Sequence, residues 1–427
     1  MRVFADFHIH GRFSRATSKD LTLEKLESFA RIKGLNLLGT GDFTHPKWFS
    51  WIKEELTEDG SGILRSKSGF RFLLQTELSL VYKQGDKLRK IHLVILAPNI
   101  EVVEQINSLL LKFGRLDYDG RPTFGVKAFE LVELLKSISN DIEIIPAHIW
   151  TPWFSLFGSN SGFDSVEECF KDQTKHIFAL ETGLSSDPEM NWMLSQLDNF
   201  TLVSNSDSHS YWPHRIGREC NVFDLKEDFT YKDIINTIRT RENFLFTVEV
   251  DPSYGKYHFD GHRNCNVVLS PQESIKLNNT CPVCHKQLTI GVLHRVLELA
   301  DRPFGFRPKN ALPFKRLLPL QELIAHYYHV GVLTKKVWSV YNTLIKHFGN
   351  EFNVLLDAPL DELKKFVDEG LANVIIKNRQ GNIFVRPGFD GVYGVPVFDK
   401  DREQEVFSPI DKDVVKNNNQ QKSLFDF

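Results

Sequence analysis

The first 250 residues alternate short apolar runs with longer stretches whose apolar residues recur every three or four positions. The apolar runs predict β-strands, and they are RVFADFHI, LNLLGTGD, FRFLLQTELSLVY, KIHLVILAP, IEIIPAHI, HIFALETG and FTLVSNSD. The stretches between them predict helices, and they are LTLEKLESFARIKG, IEVVEQINSLLLKFG, KAFELVELLKSIS and EMNWMLSQLDN. Repeated strand-then-helix units predict a parallel α/β fold. Seven such strands within about 210 residues favour a barrel over a short open sheet.

The pattern changes after Asp251 and divides the chain into four predicted regions. Residues 1–250 form the α/β barrel, and residues 251–293 form a short module with three of the five cysteines. Residues 294–400 form a helical domain, because the stretch 312–374 has a helical pattern. Residues 401–427 form a flexible tail, because they are mostly polar.

The composition is that of a soluble globular protein, with 41% hydrophobic and 25% charged residues. No apolar run reaches the roughly 18 residues of a membrane-spanning helix, so we expect no membrane association. The five cysteines are unevenly spaced, which indicates a reducing, cytoplasmic compartment. The net charge is −3, but the segment 295–347 is locally basic. Its excess of Lys and Arg favours phosphate contacts, although a solvated basic face would have the same composition.

Side chains that can bind metal ions stand at or near the ends of the predicted strands. Because the carboxyl ends of parallel strands meet at one end of a barrel, we expect these side chains to converge. Singly, an acidic residue can cap a helix, and a histidine can be hydrogen-bonded within a sheet. As a set they predict a metal centre: His8, His10, Asp42, His45, Glu77, His92, His148, Asp207 and His209.

This set of ligands indicates the chemistry. It exceeds the four ligands that one zinc ion usually takes, so we expect two or three divalent ions, whether Zn, Mn or Mg. Such ions activate water and neutralise the charge that develops on a phosphate, so the pattern predicts metal-assisted hydrolysis of a phosphate ester. No serine or cysteine nucleophile motif competes with this interpretation.

The module 251–293 has a second metal-binding pattern. An H-x-x-C and a C-x-x-C motif supply His262, Cys265, Cys281 and Cys284, separated by the 15 residues 266–280. This spacing predicts one tetrahedral, structural zinc ion, whose binding would stabilise a segment too short to fold alone. Either His258 or His285 could replace His262 as the fourth ligand, and three unrelated reduced cysteines remain the alternative.

Aromatic residues follow the metal-binding motifs directly. We predict that they stack on DNA bases, with packing at the barrel rim as the alternative. The candidates are Trp48, Trp51, Trp150, Trp153, Tyr211 and Trp212.

The nine metal-binding residues together resemble the motif set of the polymerase and histidinol phosphatase (PHP) superfamily, over residues 1–250. The resemblance implies a distorted (β/α)7 barrel with a binuclear or trinuclear metal site. It assigns His8, His10, Glu77 and Asp207 to one ion, and Glu77, His92 and His148 to a second. It assigns Asp42, His45 and His209 to a third ion or to orienting water, and makes Asp207, His209 and Glu77 the catalytic residues. The two-residue spacing between Asp42 and His45 departs from the family pattern.

The end of the chain, QKSLFDF, resembles the sliding-clamp-binding motif Q-x-x-L-x-x-F, with Gln421, Leu424 and Phe427 at the matching positions. A one-turn helix would place Leu424 and Phe427 on one face for a hydrophobic pocket. The chain ends before the second terminal aromatic residue that this motif usually has.

Over its whole length the chain resembles the endonuclease Q family, through the barrel, the zinc module, GVLHRVLELADRP, the basic helical domain, PGFDGVYG and the clamp tail. The resemblance implies a DNA repair endonuclease, archaeal in type, that nicks on the 5′ side of uracil, hypoxanthine or an abasic site. It also implies damaged DNA and a sliding clamp as partners, and an intracellular, nucleoid-associated location. The alternatives are a PHP phosphoesterase acting on small molecules or as a 3′-exonuclease, and a clamp-associated scaffold with an inert barrel.

Overall fold

The computed structural model describes residues 1–398, within which there are eighteen strands. In chain order they are β1 (Arg2–Asp6), β2 (Leu37–Gly39), β3 (Leu56–Glu58), β4 (Leu64–Ser66), β5 (Arg71–Leu73), β6 (Gln75–Gln84), β7 (Lys87–Leu96), β8 (Thr123–Phe124), β9 (Glu143–Pro146), β10 (Ala179–Glu181), β11 (Thr201–Val203), β12 (Cys220–Asp224), β13 (Phe244–Glu249), β14 (Asp260–His262), β15 (Val267–Leu269), β16 (Phe314–Arg316), β17 (Phe384–Arg386) and β18 (Val395–Val397).

The largest sheet has the order β16–β13–β12–β1–β2–β5–β4–β3. Near its centre, β1 is parallel to β2 and antiparallel to β12. A second sheet has the order β8–β6–β7–β9, and β10 pairs in parallel with β11. Two further ribbons are formed by β14 with β15 and by β17 with β18.

The prediction of a barrel of parallel strands is only partly right. The fold is mixed α/β, but across residues 1–398 the hydrogen-bonded ladder does not close and is divided among several sheets. The stretch FRFLLQTELSLVY forms two strands, β5 and β6, and β6 runs antiparallel to β7. The reason is the tight turn at Gly85 and Asp86, because a two-residue connection joins only antiparallel strands.

The α-helices alternate with strands in the first 250 residues and predominate from residue 320. They are α1 (Leu23–Lys33), α2 (Pro46–Glu55), α3 (Ile100–Leu110), α4 (Ala128–Ile138), α5 (Val166–Phe170), α6 (Pro188–Asn191), α7 (Tyr231–Thr240), α8 (Pro271–Lys276), α9 (Val292–Leu299), α10 (Leu320–Tyr327), α11 (Lys335–Phe348), α12 (Leu360–Leu363) and α13 (Glu369–Arg379). Short 3-10 turns span Lys171–His176, Ser195–Leu197, Pro252–Tyr254 and Arg263–Cys265, and a π-helical turn spans Asn353–Asp357. In the described part of the chain, no helix combines the length and apolar character needed to cross a bilayer.

The helices after residue 320 pack directly on the α/β region. Their buried apolar side chains, such as Leu323 and Leu344, belong to the same continuous core as those of α1. A buried ion pair crosses the junction, with Lys33 Nζ 2.7 Å from Glu351 Oε1 and both side chains at most 1% exposed. Glu351 also accepts a hydrogen bond from the hydroxyl of Tyr341, so its charge is well satisfied.

Candidate metal centre

Two chain segments that follow parallel strands bring the first ligand group together. His8 and His10 follow β1, and Asp207 follows β11. The backbone N–H of His10 donates to the carbonyl of Ser208 (2.9 Å), which holds the two segments side by side. Glu77 reaches the same place from β6, and ligand atoms of His8, His10, Glu77 and Asp207 all lie within 4.8 Å of one another.

Glu77 also belongs to a second group, with His92 on β7 and His148 after β9. Its Oε1 lies 2.7 Å from His92 Nδ1 and 3.2 Å from His148 Nε2. Its Oε2 faces the first group and lies 3.2 Å from His10 Nε2. One carboxylate therefore joins two groups of candidate ligands, which are the two groups that the family resemblance implies.

The environment of His8 fits the binding of a divalent cation. Its Nε2 is buried without a hydrogen-bond partner inside residues 1–398, and it lies 3.5 Å from Glu77 Oε2 and 3.6 Å from Asp207 Oδ1. A divalent cation bound between this nitrogen and the two carboxylates would satisfy all three groups, and unpaired buried polar atoms are costly. Imidazole and carboxylate together suit several divalent metals, so the ligands do not select one.

Asp42, a predicted ligand, lies outside both groups and supports one of them. Its Oδ1 is 3.1 Å from His10 Nδ1, and its Oδ2 accepts hydrogen bonds from the Gly11 N–H and the Ser14 hydroxyl, both at 2.6 Å. A carboxylate in this position fixes the orientation and tautomer of a metal-binding imidazole.

His45 and His209 also lie outside both groups. His45 caps α2, and its ring stacks on Phe13 at a centroid distance of 4.3 Å. The ring of His209 stacks on that of His10 at 4.1 Å, and its Nε2 lies 3.7 Å from Asp207 Oδ1. Burial and the charge of His10 lower the pKa of His209 to about 4, so its imidazole is neutral at pH 7.

Sequence reasoning missed two residues of this site. The buried carboxylate of Glu181 lies 3.0 Å from His8 Nδ1 and accepts the backbone N–H of His148 at 2.8 Å. Glu181 lies near the end of the predicted strand HIFALETG, so its position gives the same signal as the nine predicted metal ligands. Arg121 donates from Nη1 to Glu77 Oε2 at 2.9 Å, and no sequence pattern marks it.

The charges of this site hold its carboxylates ionised. Burial would raise the pKa of Glu77, but the positive charges of His92, Arg121 and His8 outweigh it and keep the pKa well below its usual range. Burial also opposes protonation of His8 and His10, yet the surrounding carboxylates raise both pKa values well above normal. The site therefore attracts positive charge, as binding of divalent cations requires.

Three residues of the site have backbone conformations that non-glycine residues rarely adopt. The φ angles of Asp42, His148 and Asp207 are 33°, 31° and 46°. Gly183 packs against one of them, because a Cβ at that position would lie 2.6 Å from the Cβ of His148. Such strain, about 1–3 kcal/mol per residue, clusters where the fold imposes a functional geometry.

Three of the six aromatic candidates for base stacking are buried. The indole N–H of Trp48 donates to the carbonyl of Gly41 (2.9 Å), and that of Trp150 donates to Asn191 Oδ1 (2.8 Å). Tyr211 is only 8% exposed. These side chains support the loops of the metal centre from within, so in this structure a DNA base cannot reach them.

The other three aromatic candidates are accessible to different degrees. Trp51 is half-buried, with the guanidinium of Arg12 5.2 Å from its ring centroid. Trp212 is half-buried against Trp338, with the ring centroids 5.6 Å apart. Trp153 is 42% exposed, so it is open to a ligand from solvent.

The Cys and His residues of the module 251–293 also converge. One ligand atom from each of His262, Cys265, Cys281 and Cys284 lies within 4.8 Å of the others, whereas His258 and His285 do not join this group. Burial opposes ionisation of Cys281, but hydrogen bonds, first from the backbone of Cys284, lower the pKa of its thiol to about 7. A thiolate within a set of three sulfur ligands and one imidazole fits a tetrahedral zinc ion.

Part of the basic segment 295–347 is used inside the protein. Arg302 makes a bidentate contact with Asp198 at 2.8 and 2.6 Å, and Arg316 binds Asp187 and Glu189. The lysines of this segment are exposed, and they are Lys309, Lys315, Lys335, Lys336 and Lys346. The positive charge available to a ligand is therefore lower than the number of Lys and Arg residues in this segment suggests.

Comparisons with known proteins match one region of the chain to a family model and part of the chain to a longer relative. A family model described as the MJ0043 C-terminal domain matches residues 319–382. The uncharacterized protein MJ0043 of Methanocaldococcus jannaschii is 36% identical over 248 residues, which are 57% of this chain and 31% of that protein. The chain thus spans about a third of the length of this relative.

Two solved structures match nearly the whole chain. The lesion-specific endonuclease PfuEndoQ from Pyrococcus furiosus is 31% identical, with a TM-score of 0.84 over 98% of this chain and 99% of that one. An endonuclease Q complex with a 27-mer duplex, which has an abasic lesion at the active site, is 32% identical, with a TM-score of 0.84 over 96% and 100%. With identity and fold shared over this extent, the chain belongs to the endonuclease Q family.

Proposed function

We propose that this chain is a metal-dependent DNA repair endonuclease, which hydrolyses the phosphodiester on the 5′ side of a deaminated base, either uracil or hypoxanthine, or of an abasic site. One observation carries the proposal: two ligand groups share Glu77 in a chain whose full-length structural relative binds a duplex with an abasic lesion at its active site. Binuclear sites of this kind suit hydrolysis of phosphodiesters.

In the proposed mechanism, His8, His10, Glu77 and Asp207 hold one ion, and Glu77, His92 and His148 hold the second. When bound, such ions lower the pKa of water from about 15.7 to roughly 7 and neutralise charge on the phosphate. We propose two or three such ions, and Zn, Mn and Mg are the candidates.

Neighbouring residues prepare these ligands. Glu181 and Asp42 accept hydrogen bonds from Nδ1 of His8 and His10, so the Nε2 lone pair of each imidazole is directed into the site. Glu77 raises the pKa of Arg121, which stays positive and offsets the charge of the scissile phosphate.

His209 has a different role in this mechanism. It is neutral at pH 7 and its Nε2 lies 3.7 Å from Asp207 Oδ1, so its imidazole can orient the attacking water through a hydrogen bond. Asp207, Glu77 and His209 are therefore the residues on which catalysis depends most directly.

We also propose roles for the regions outside the metal centre. His262, Cys265, Cys281 and Cys284 bind a structural zinc ion, and residues 294–400 are a basic, helical DNA-binding domain, which their exposed lysines support. Gln421, Leu424 and Phe427 bind a sliding clamp; they lie outside the described residues, and this part of the proposal depends on the sequence motif alone. An enzyme with this substrate acts in the cytoplasm at the nucleoid.

The proposal is tested with end-labelled duplex DNA that has one deoxyuridine, deoxyinosine or abasic-site analogue, in Mg²⁺ or Mn²⁺. The expected result is a single nick 5′ to the lesion, absent from undamaged DNA and abolished in Asp207→Asn. Asp86→Asn, in the exposed turn between β6 and β7, is the matched control and should cut normally. End-directed degradation that ignores the lesion, or cleavage of small phosphoesters only, would replace the proposal with one of its alternatives.

A further inference from the structure

The stretch PGFDGVYG forms a rigid turn on the surface of the zinc module. Asp390 and Gly391 both have positive φ angles, 42° and 87°, and Phe389 and Val392 exchange backbone hydrogen bonds across them. This is the geometry of a type I′ turn, for which Asp-Gly is a favoured sequence.

Three hydrogen bonds fix this turn to residues 251–293. The two carboxylate oxygens of Asp390 accept from the backbone N–H of Arg263 and the hydroxyl of Thr289, each at 2.7 Å. The N–H of Gly391 donates to the carbonyl of Lys256 at 2.9 Å. The side chains that follow the turn are therefore held in place before any ligand binds.

The turn exposes apolar side chains next to those of a loop from the metal centre. Val392 and Tyr393 are 42% and 45% exposed, and Trp153 is 42% exposed. Tyr257 lies between the two. Its ring centroid is 5.7 Å from that of Trp153, and its hydroxyl is 3.7 Å from the point that a Cβ on Gly391 would occupy, so Tyr257 also lies close to the turn. We call Trp153, Tyr257 and Tyr393, with Val392 beside them, the aromatic strip.

One end of the aromatic strip is linked to a predicted metal ligand. His148 Nδ1 lies 3.2 Å from the hydroxyl oxygen of Thr151, and that hydroxyl donates to the carbonyl of Trp153 at 3.0 Å. The position of Trp153 is therefore coupled to that of His148 through two hydrogen bonds.

Exposed cations accompany the aromatic strip. Lys256 Nζ lies 4.6 Å from the ring centroid of Tyr393, and Arg263 Nη1 lies 3.3 Å from where a Cβ on Gly391 would stand. Neither side chain forms an ion pair with a carboxylate in the described residues. Partly exposed aromatic rings beside cations that lack a carboxylate partner form a recurrent surface for stacking the bases of an unpaired strand while its phosphates are neutralised.

We infer that the aromatic strip binds the DNA strand beside the lesion, with bases stacked on Tyr393 and Trp153 and phosphates against Lys256 and Arg263. This inference depends on the proposed function and deepens it, because it assigns recognition of unpaired DNA to the turn at Asp390 and Gly391. Stacking on this surface would stabilise the duplex in an opened form at the metal centre.

The test measures binding of a fluorescein-labelled duplex with an abasic-site analogue, in Ca²⁺, with 2-aminopurine next to the lesion. Stacking contributes about 1–3 kcal/mol per base, so Tyr393→Ala should weaken binding about tenfold and reduce the 2-aminopurine fluorescence change. Tyr393→Phe should restore both. Phe384→Ala is the matched control, since Phe384 is 48% exposed at the far end of the same ribbon, and it should have no effect.

A second measurement does not depend on an aromatic substitution. Lys256→Ala should reduce the slope of log Kd against log salt by about 0.9, as expected when one phosphate contact is lost. Unchanged affinity and salt slope in Tyr393→Ala, Trp153→Ala and Lys256→Ala, with wild-type protein still nicking at lesions, would overturn the inference and leave the proposed function intact. A wild-type protein that neither binds nor nicks lesion DNA would overturn both.

Discussion

The metal centre and the Cys and His cluster, the two candidate metal sites of this protein, are assembled in different ways. The ligands of the metal centre come from positions between 8 and 207, and five of its six residues are buried. The ligands of the Cys and His cluster come from positions 262 to 284, and only Cys281 is buried. The first site is thus made by long-range contacts of the whole α/β region, and the second by a local segment.

Folding is expected to depend on metal to different degrees at the two sites. The metal centre is supported by Asp42, Glu181 and Arg121, so most of its geometry exists without an ion. The Cys and His cluster has little core of its own, so its metal is expected to supply much of the folding free energy of its segment. We therefore expect changes at the metal centre to alter activity, and changes at the cluster to alter structure.

The largest effect should come from the residue that both ligand groups share. Glu77→Gln removes a negative charge from both ion sites, so lesion-directed nicking should fall about 10³-fold, equivalent to ~4 kcal/mol of transition-state stabilisation. Single-turnover nicking measures this loss, and metal analysis should find the zinc content of the protein's Cys and His cluster unchanged. Loss of that zinc as well would show that the metal centre and the Cys and His cluster are not independent.

The next effect is structural and concerns Cys281→Ser. Binding of structural zinc provides roughly 10–16 kcal/mol in small zinc modules, so loss of one ligand should leave the segment 251–293 open to proteolysis. Limited proteolysis and zinc analysis measure this outcome. Cys169→Ser, at a buried cysteine outside the cluster, is the control and should keep full zinc. A protease-resistant, zinc-free segment would show that the segment folds without metal.

A smaller effect is expected from the carboxylate that orients His8. Glu181→Gln should weaken activation by Mn²⁺ about 10- to 100-fold, because the hydrogen-bonding partners of metal ligands tune affinity by this amount. Glu143→Gln is the control, since Glu143 is equally buried but is paired with Arg239. Equal effects of the two substitutions, measured by Mn²⁺ titration of nicking, would mean that Glu181 acts only through stability.

The smallest effect is a pH dependence with opposite signs in the two regions. Burial raises the pKa of Glu249 to about 8, from 4.5 in a free glutamate. The unfolded chain releases this proton first, so the α/β region loses stability as the pH rises from about 4.5 to about 8. The pKa of Cys281 is lowered from 9.0 to about 7, so its contribution is lost as the pH falls through 7.

Urea unfolding measures the pH dependence of the α/β region, and zinc release measures that of the Cys and His cluster. Between pH 5 and 8 the free energy of unfolding should fall in wild type, and should fall less in Glu249→Gln. Zinc release to a chromogenic chelator should accelerate as the pH falls, because protons compete with zinc for the thiolates. If both regions lost stability as the pH changed in the same direction, Glu249 and Cys281 would not be the groups responsible.

The local cluster and the metal centre also differ in how far the sequence predicts them. For His262 and the three cysteines, spacing alone brings the right residues together, because the segment is short. For the metal centre, residues at the ends of strands converge because neighbouring strands are parallel, and this rule works for His8, His10 and Asp207.

The rule fails where long-range packing decides. The rule also misses two local features: the two-residue turn at Gly85 and Asp86, which makes β6 and β7 an antiparallel hairpin, and the break between β5 and β6, which a long apolar run hides. Burial of Trp48 and Trp150 depends on loops from other parts of the chain, so adjacency to a motif did not predict their accessibility. Arg121 reaches Glu77 from a loop without any periodic signal.

The ion pair of Lys33 and Glu351 limits how this gene can be rearranged. Residues 319–382 correspond to a domain defined in a longer protein, so they are a natural unit for transfer between genes. Lys33 and Glu351 are buried where the two parts of the chain meet, so a unit joined to a partner without the matching residue would leave one of these charges buried and unpaired. An unpaired buried charge costs about 3–5 kcal/mol, a large part of the stability of a domain. Gene fusion at this junction therefore requires a matching residue on the other side.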